Sequence, residues 1–230
     1  MYQPSIITTS PAHGYANPFD DFALPRREAR TKPVNGLLRR LRRERRRRKV
    51  GRAYDMALEV AQMIPAGARV LDIGCGNGYI AHHLSGMRNA NVTGIDLQPE
   101  TEAKIKYRQY DGVRFPVEKS SIDAALLCYV LHHTQDLQTV LLELRRVLRN
   151  GGMAIIYEDI PESAWDRTLC SVHDLKWRKR TGPCTFRTGT TWRSVFEFYG
   201  FEVVTERRLS RWRNLAYPVS RRCFVLSVRK

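Results

Sequence analysis

Three glycines at alternate positions constrain the fold of this chain more than any other feature. They lie in the stretch VLDIGCGNGYIAHHL, residues 70–84, where Asp72 precedes Gly74, Gly76 and Gly78. The apolar run before them predicts a buried β-strand, and the segment after them predicts a helix. Glycine permits positive φ angles and lets a ligand approach the backbone without a Cβ in the way. A tight structural turn is the alternative, but the acid beside three alternating glycines favours a ligand site.

Strands and helices alternate from residue 68 onward. Apolar strands are predicted at 68–74, 91–97, 104–112, 121–131, 152–160, 201–209 and 221–230. Helices are predicted at 78–87, 135–152 and 190–200, whereas residues 161–189 are predicted to be irregular. Such alternation is typical of a parallel sheet that is covered on both faces. We therefore predict an α/β, doubly wound fold with a seven-stranded, mostly parallel sheet whose last strand is antiparallel.

The positive charge of the chain is concentrated near its start. The net charge is +16, and residues 26–52 hold 14 Lys and Arg against 2 Asp and Glu, which leaves +4 for all other residues. Residues 1–35 are rich in Pro, Ser, Thr and Asn and are predicted to be disordered or loosely docked. Residues 36–53 are predicted to form a basic helical arm, and residues 54–230 a single domain.

An anionic partner is expected for this arm, because so dense a run of cations repels itself. The segment Arg39–Arg52 holds ten cations and one acid. It suits RNA, through the phosphates. It equally suits an anionic membrane surface, into which Leu37, Leu38 and Leu41 would dip. The sequence leaves both partners open.

Composition limits the cellular setting. No apolar run approaches the roughly 20 residues of a membrane span, and the first 25 residues lack the pattern of a secretory signal. The five cysteines are odd in number and scattered, as reduced thiols are. Cys170, His173 and Cys184 match no paired metal-ligand spacing. We therefore expect a cytoplasmic protein without a transmembrane segment or a metal site, and the arm allows a peripheral place at the inner membrane surface.

The spacing of the glycines narrows the choice of ligand. A dinucleotide site requires G-x-G-x-x-G, but counting from Gly74 the sixth position is Tyr79. The pattern present is D-x-G-x-G-x-G, and its acid would repel a phosphate but suit a cation or an amino group.

These residues resemble the class I methyltransferases that use S-adenosylmethionine. Residues 70–84 are similar to the first motif of that family, GIDLQP (94–99) to its second-strand motif, and residues 110–136 to the segment around its fourth strand. The likeness extends over roughly residues 54–228 and is nearest to quinone and other small-molecule methyltransferases. The resemblance implies a Rossmann-like methyltransferase fold and S-adenosylmethionine as the cofactor.

The resemblance also implies which residues hold the cofactor. Asp96 would bind the two ribose hydroxyls, because a carboxylate can accept hydrogen bonds from both of them. Asp111, beside Gly112, would contact the adenine, and Cys128 and Tyr129 would lie near the amino-acid end. Asp72 would help to bind the ammonium group. The full predicted set is Asp72, Gly74, Cys75, Gly76, Gly78, Asp96, Leu97, Asp111, Gly112, Cys128 and Tyr129.

Methyl transfer from a sulfonium depends mostly on positioning, and a base is needed only if the acceptor carries a proton. His132 and His133 follow the fourth strand and are the candidate bases, although one ring could simply pack. Glu158 and Asp159 end the fifth strand and could face the acceptor. Residues 161–189, with Trp165, Trp177 and Phe186 among basic residues, are expected to form an acceptor lid.

Three functions fit these features. The first is transfer of a methyl group to an O, N or C atom of a small-molecule or lipid-like acceptor. The second is methylation of rRNA or tRNA, with the arm holding the RNA; the segment CYVLHH, where base-methylating enzymes carry a different signature, speaks against it. The third is a polyanion-binding protein that keeps the fold without turnover.

Overall fold

The computed structural model describes residues 36–230, so the segment predicted to be disordered or loosely docked, 1–35, lies outside the described residues. Contacts divide the chain into two units, with the boundary between Gly51 and Arg52. No helix within the described part of the chain combines the length and the apolar character that crossing a membrane would require.

The described part of the first unit is helical. Helix α1 begins at Gly36, within the predicted arm, and ends at Met63. Nearly all of its cations between Arg39 and Lys49 are exposed to solvent, and Glu44 pairs with Arg48 one turn away at 3.1 Å. Leu38 and Leu41 are each 48% exposed. This stretch therefore presents a dense positive charge to solvent, with two half-exposed leucines among the arginines.

The second unit consists of a sheet with helices around it. Its strands are β1 (Arg69–Ile73), β2 (Asn91–Asp96), β3 (Lys106–Gln109), β4 (Ile122–Cys128), β5 (Leu148–Asp159), β6 (Phe201–Leu209) and β7 (Arg221–Val228). Its helices, besides the end of α1, are α2 (Tyr79–Ser85), α3 (Leu137–Val147), α4 (Ala164–Thr181) and α5 (Gly189–Phe198). Short 3-10 turns cover Leu131–His133 and Arg211–Arg213.

The sheet has the predicted topology. Its seven strands lie in the order β3-β2-β1-β4-β5-β7-β6, and only β7 runs antiparallel to its neighbours. The strand order reverses between β1 and β4, so the carboxyl ends of these strands border a crevice where ligands bind in such sheets. The predicted fold class is confirmed.

The core lies on both faces of the sheet, because neighbouring strand residues point to opposite sides. On one face Leu71 and Leu127 pack with α3 and α5, which contribute Leu144 and Phe196. On the other face Val70 and Leu126 pack with the end of α1 and with α2. The ligand-binding edge therefore rests on a sheet that is fixed from both sides.

The segment 161–189 differs from its prediction, because residues Ala164–Thr181 form the 18-residue helix α4. A capping box starts this helix: the Ser163 hydroxyl accepts from the Asp166 N–H, and the Asp166 carboxylate accepts from the Ser163 N–H. Gly182 ends it with a positive φ of 77°. The prolines and the glycine that suggested an irregular segment therefore lie outside the helix and bound it.

Two other boundaries differ from expectation. Helix α3 ends at Val147 instead of 152, and β5 begins directly at Leu148. Strand β3 covers only four residues, and the nine residues between β2 and β3 contain no helix. This short connection leaves the carboxyl end of β2 uncovered by a helix.

Candidate active site

The turn after β1 presents backbone to the carboxyl edge of the sheet. Gly74 has a φ of 67° and Gly76 a φ of 55°, both in the left-handed region that favours glycine. A Cβ on Gly74 would lie 2.7 Å from Cγ2 of Val130, which follows β4, whereas a Cβ on Gly76 would meet nothing within 4 Å. Gly74 thus allows close packing against the β4 end, and Gly76 leaves open space in front of the turn. We call residues 74–78 the glycine bend.

Asp96 at the end of β2 faces this glycine bend. Its Oδ2 accepts a hydrogen bond from the Gly76 N–H at 2.8 Å, and its Oδ1 accepts one from the Gln98 N–H at 3.1 Å. The side chain is partly exposed, and the Leu97 side chain beside it is 58% exposed. The bend is therefore closed at one side by a fixed carboxylate with an uncovered apolar side chain next to it.

The second acid of this region, Asp72, lies almost completely buried within β1. Burial, and then the charge of Asp96, raise the pKa of Asp72 to about 7. Its Oδ2 has no hydrogen-bond partner among residues 36–230. A buried carboxylate oxygen without a donor favours a site that a cationic or N–H-bearing group completes.

A cavity of about 370 Å³ lies on the other side of this edge, near the ends of β4 and β5. Four parts of the second unit supply its walls: the end of α1, the strand ends, α4 and the β6–β7 connection. The lining residues are Arg52, Asp55, Met56, Tyr129, Tyr157, Asp159, His173, Arg213, Asn214, Tyr217 and Arg221. Most of this wall could not be predicted from the sequence, because the segment between β6 and β7 carries no motif.

The charges in this cavity are paired. Arg221 and Asp159, both nearly buried, approach to 3.0 Å, and Arg213 lies 2.8 Å from Glu59. The Arg221 guanidinium also lies 5.7 Å from the ring centre of Tyr129 and 5.6 Å from that of Tyr217. Burial raises the pKa of Asp159 to about 6, although Arg221 acts to lower it. The cavity is consequently rich in tyrosine, and Arg213 and Arg221 in its wall are paired with neighbouring acids.

Tyr129 connects the cavity with the glycine bend. It has a φ of 60°, which is unusual for a residue with a side chain, and its N–H donates to the Tyr157 carbonyl at 2.8 Å. The next residue, Val130, is the one that packs against Gly74. Two consecutive residues thus belong to the cavity and to the bend.

Three histidines form a cluster behind this wall. His132 is fully buried, and its Nδ1 lies 2.6 Å from the Glu158 Oε2. His133 and His173 bring their Nε2 atoms to 3.2 Å from each other. Burial acts to lower the pKa of His132, but the charge of Glu158 and the hydrogen bond to it outweigh burial and raise it. Burial and the neighbouring histidine charges lower the pKa of His133 to about 3 and that of His173 to about 4.

The comparisons with known proteins fit this geometry. Residues 71–156 match a family model described as a methyltransferase domain. The chain is 32% identical to the sterol 24-C-methyltransferase of Gibberella zeae over 116 residues, which are 45% of this chain and 30% of that protein. It is 32% identical to the tRNA U34 carboxymethyltransferase of Methylococcus capsulatus over 118 residues, 45% of this chain and 36% of that protein.

A solved structure, the S-adenosylmethionine-dependent methyltransferase from Methanosarcina mazei, superposes with a TM-score of 0.58 at 18% identity, over 74% of this chain and 96% of that one. Residues 71–156 thus match a methyltransferase domain, and the sheet has the fold of S-adenosylmethionine-dependent methyltransferases. The match spans only about a third of the length of the two curated relatives. The family model, over residues 71–156, includes the glycine bend.

The methyltransferase domain uses S-adenosylmethionine, and the residues of the bend fit this cofactor. The donorless Oδ2 of Asp72 suits an ammonium group, the open space at Gly76 admits a ligand to the backbone, and the carboxylate of Asp96 suits a diol. No phosphate cradle is needed, and two acids at the bend would oppose one.

Several predicted cofactor residues of the methyltransferase domain have other contacts in the structure. The Asp111 Oδ1 accepts from the N–H groups of Val113 and Arg114, both at 2.9 Å, so this carboxylate stabilises its own turn. These hydrogen bonds lower the pKa of Asp111. Gly112 lies against Leu97, whose Cδ2 is 3.3 Å from the place of a Cβ on that glycine. The uncovered Leu97 thus contacts the predicted adenine segment.

The two cysteines and the third glycine of the predicted set take structural positions in the methyltransferase domain. The Cys75 Sγ lies against Gly94 of β2, at 2.8 Å from the place of a Cβ, and burial raises the pKa of its thiol. Burial also raises the pKa of Cys128. Gly78 begins α2 in the left-handed conformation.

Proposed function

We propose that this protein is an S-adenosylmethionine-dependent methyltransferase that acts on an O, N or C atom of a small-molecule or lipid-like acceptor. The observation that carries the proposal is the direct link between the glycine bend and the aromatic cavity through Val130 and Tyr129. A methyl donor at the bend would have the cavity as the neighbouring space for an acceptor.

Side chains around the glycine bend would bind the cofactor. Asp96 would hold the ribose hydroxyls, Asp72 the ammonium group, and Leu97 with Gly112 the adenine side. When bound, the cofactor supplies an electrophilic methyl group with a good leaving group. The protein contributes orientation and exclusion of water, which are the main requirements of such a transfer.

The cavity supports a small acceptor. Its volume of about 370 Å³ lies in the range of ligand pockets. Three tyrosines and Met56 offer apolar and ring contacts, and the pairs Arg221–Asp159 and Arg213–Glu59 leave little net charge for a polyanion. Sterol methylation by the Gibberella zeae relative is in keeping with an apolar acceptor.

Helix α4 lies within the segment 161–189, which is predicted to form the acceptor lid. It contributes His173 to the cavity wall. Neither His132 nor His133, the candidate bases, lines the cavity, but His133 contacts His173. His173 is therefore the histidine of this group that would contact an acceptor in the cavity.

An RNA acceptor is the second candidate function, and the exposed cations of α1 favour it. The tRNA U34 carboxymethyltransferase of Methylococcus capsulatus is a relative of comparable similarity. In this case the arm would hold RNA phosphates, and binding would weaken steeply with salt.

The experiment that separates these functions uses the full chain and S-adenosylmethionine carrying a labelled methyl group. Label is expected in the small-molecule and lipid fraction of a cell extract and not in its RNA. The matched variant replaces Arg39, Arg40, Arg42 and Arg43 by Gln, and is expected to retain transfer to the small acceptor. Label in RNA that this variant loses would establish the second candidate instead, and absence of label from both fractions would contradict methyl transfer.

A further inference from the structure

The three histidines lie close enough to share one ion. His132 and His133 occupy the short turn after β4, and His173 comes from α4, 40 residues later. One ring nitrogen from each lies within 4.8 Å of the others. The Nε2 atoms of His133 and His173 are 3.2 Å apart, close to the ~3.3 Å that separates two nitrogens bound at 2.0–2.1 Å to a tetrahedral zinc ion.

His132 has one ring nitrogen without a hydrogen-bond partner among the described residues. Its Nδ1 is held by Glu158, whose other oxygen accepts the Leu131 N–H at 2.7 Å. Its Nε2 is buried and has no hydrogen-bond partner among residues 36–230. When the carboxylate accepts a hydrogen bond from the Nδ1–H of a neutral imidazole, the Nε2 atom keeps a lone pair, which is the arrangement typical of imidazoles that bind metals.

His133 is oriented in the same way. Its Nδ1 lies 3.1 Å from the Thr181 hydroxyl oxygen, which can accept a hydrogen bond from Nδ1–H, and 3.3 Å from the Cys184 Sγ. The ring of Phe186 stacks on His132, and that of Trp177 stacks on His173. Two of the three imidazoles thus have Nδ1 engaged, and aromatic rings restrict the cluster from the sides.

We propose that His132, His133 and His173 bind a divalent transition-metal ion, with zinc as the best-fitting ion. Three imidazoles without a carboxylate suit zinc, cobalt or nickel and do not suit magnesium or calcium, which require oxygen ligands. Three protein ligands leave one coordination position open, as in catalytic zinc sites. This replaces the expectation of no metal, which rested on sequence spacing that cannot relate residues 133 and 173.

The ion would serve the cavity, because His173 belongs to both the cluster and the cavity wall. An ion there would bind an oxygen of the acceptor and favour its deprotonated form. This use of the ion rests on the proposed function, whereas binding of the ion does not.

The test is metal binding by the full chain, freed of any histidine tag and of metal, without S-adenosylmethionine. One Zn²⁺ per chain is expected by calorimetry and elemental analysis. Co²⁺ is expected to give the intense visible absorption of a tetrahedral site. Binding to a different stoichiometry, or no uptake of either ion, would overturn the proposal.

Two variants locate the ion. His173→Ala is expected to lose the bound ion and the Co²⁺ spectrum, and His173→Gln serves as a second variant if the first is unstable. His82→Ala, which removes a histidine from outside the cluster, is expected to bind as the wild type does. Binding unchanged in both His173 variants would refute the assignment.

A third variant tests the role of Glu158. Glu158→Gln is expected to weaken Zn²⁺ binding by roughly 10–100-fold while leaving one site per chain. Full affinity in this variant would contradict the argument from Nδ1. A thermal shift with S-adenosylmethionine, measured on the same samples, shows whether the cofactor site survives when metal binding fails, so the two proposals can fail separately.

Discussion

The glycine bend and the aromatic cavity share one edge of the sheet but are built in different ways. The bend is made of backbone and of two acids that lie within 25 residues of one another. The cavity is made of side chains from α1, β4, β5, α4 and the β6–β7 connection, more than 160 residues apart at the extremes. The proposed donor side is thus built from residues that lie close together in the sequence, whereas the proposed acceptor side depends on the fold.

The two regions also differ in charge. At the bend the hydrogen bonds to Asp96 come from backbone N–H groups, and the charge of Asp96 acts to raise the pKa of Asp72. In the cavity Asp159 and Arg221 neutralise each other. A cationic cofactor would therefore complement the acids of the bend, and a neutral, apolar acceptor is proposed for the cavity.

The largest expected effect comes from Asp96. Asp96→Ala removes the acceptor of the Gly76 N–H and the proposed ribose ligand, so the rise in Tm caused by S-adenosylmethionine should disappear. Differential scanning fluorimetry with and without the cofactor measures it. Glu118→Ala removes an exposed acid away from the bend and should keep the shift. A full shift in Asp96→Ala would break the distinction between bend and cavity.

Filling the cavity should give the next largest effect. Met56→Trp places a bulky ring in the proposed acceptor space. The rate of methyl transfer should fall by about 100-fold because the acceptor is displaced. The shift in Tm with S-adenosylmethionine should be unchanged. If cofactor binding were lost together with transfer, the two regions would not be separate sites.

The pKa of Asp72 gives a pH-dependent prediction. Because this pKa is about 7 in the folded protein, above the ordinary value of 3.8, folding favours the protonated form. The contribution of Asp72 to the free energy of unfolding is therefore largest below about pH 4 and declines as the pH rises to 7. Asp72→Asn should stabilise the cofactor-free protein at pH 8, by an amount on the order of 4 kcal/mol at most.

The same substitution should leave stability almost unchanged at pH 4 and should weaken the cofactor-induced shift in Tm. Thermal denaturation at the two pH values measures the difference. Equal effects on stability at the two pH values would mean that the ionised Asp72 carboxylate does not destabilise the folded protein as predicted.

The smallest expected effect concerns the cavity wall. Ser163→Ala removes the N-cap of α4 and should lower the stability of the protein by about 1 kcal/mol. Ser171→Ala, on the exposed side of the same helix, should change it by much less. Chemical denaturation of the two variants tests whether this segment depends on its cap.

The sequence predicted the sheet well, because its central strands are apolar runs bounded by turn residues and the glycine motif at the end of β1 lies within seven positions. It also placed Asp72 and Asp96, whose separation follows from one strand–helix–strand unit. It failed for α4, since the capping box of Ser163 and Asp166 is a weaker signal than the prolines and glycine around it. The contact between His133 and His173, and the role of Arg221 in the cavity, could not be predicted because only the folded sheet brings these residues together.

The central claim is that the glycine bend holds the methyl donor beside the aromatic cavity. A crystal structure of the protein with S-adenosylhomocysteine tests it most directly. The ribose hydroxyls are expected to lie at hydrogen-bond distance from the Asp96 carboxylate, and the sulfur is expected to lie on the side of Tyr129. A ligand bound elsewhere, or a ribose turned away from Asp96, would contradict it.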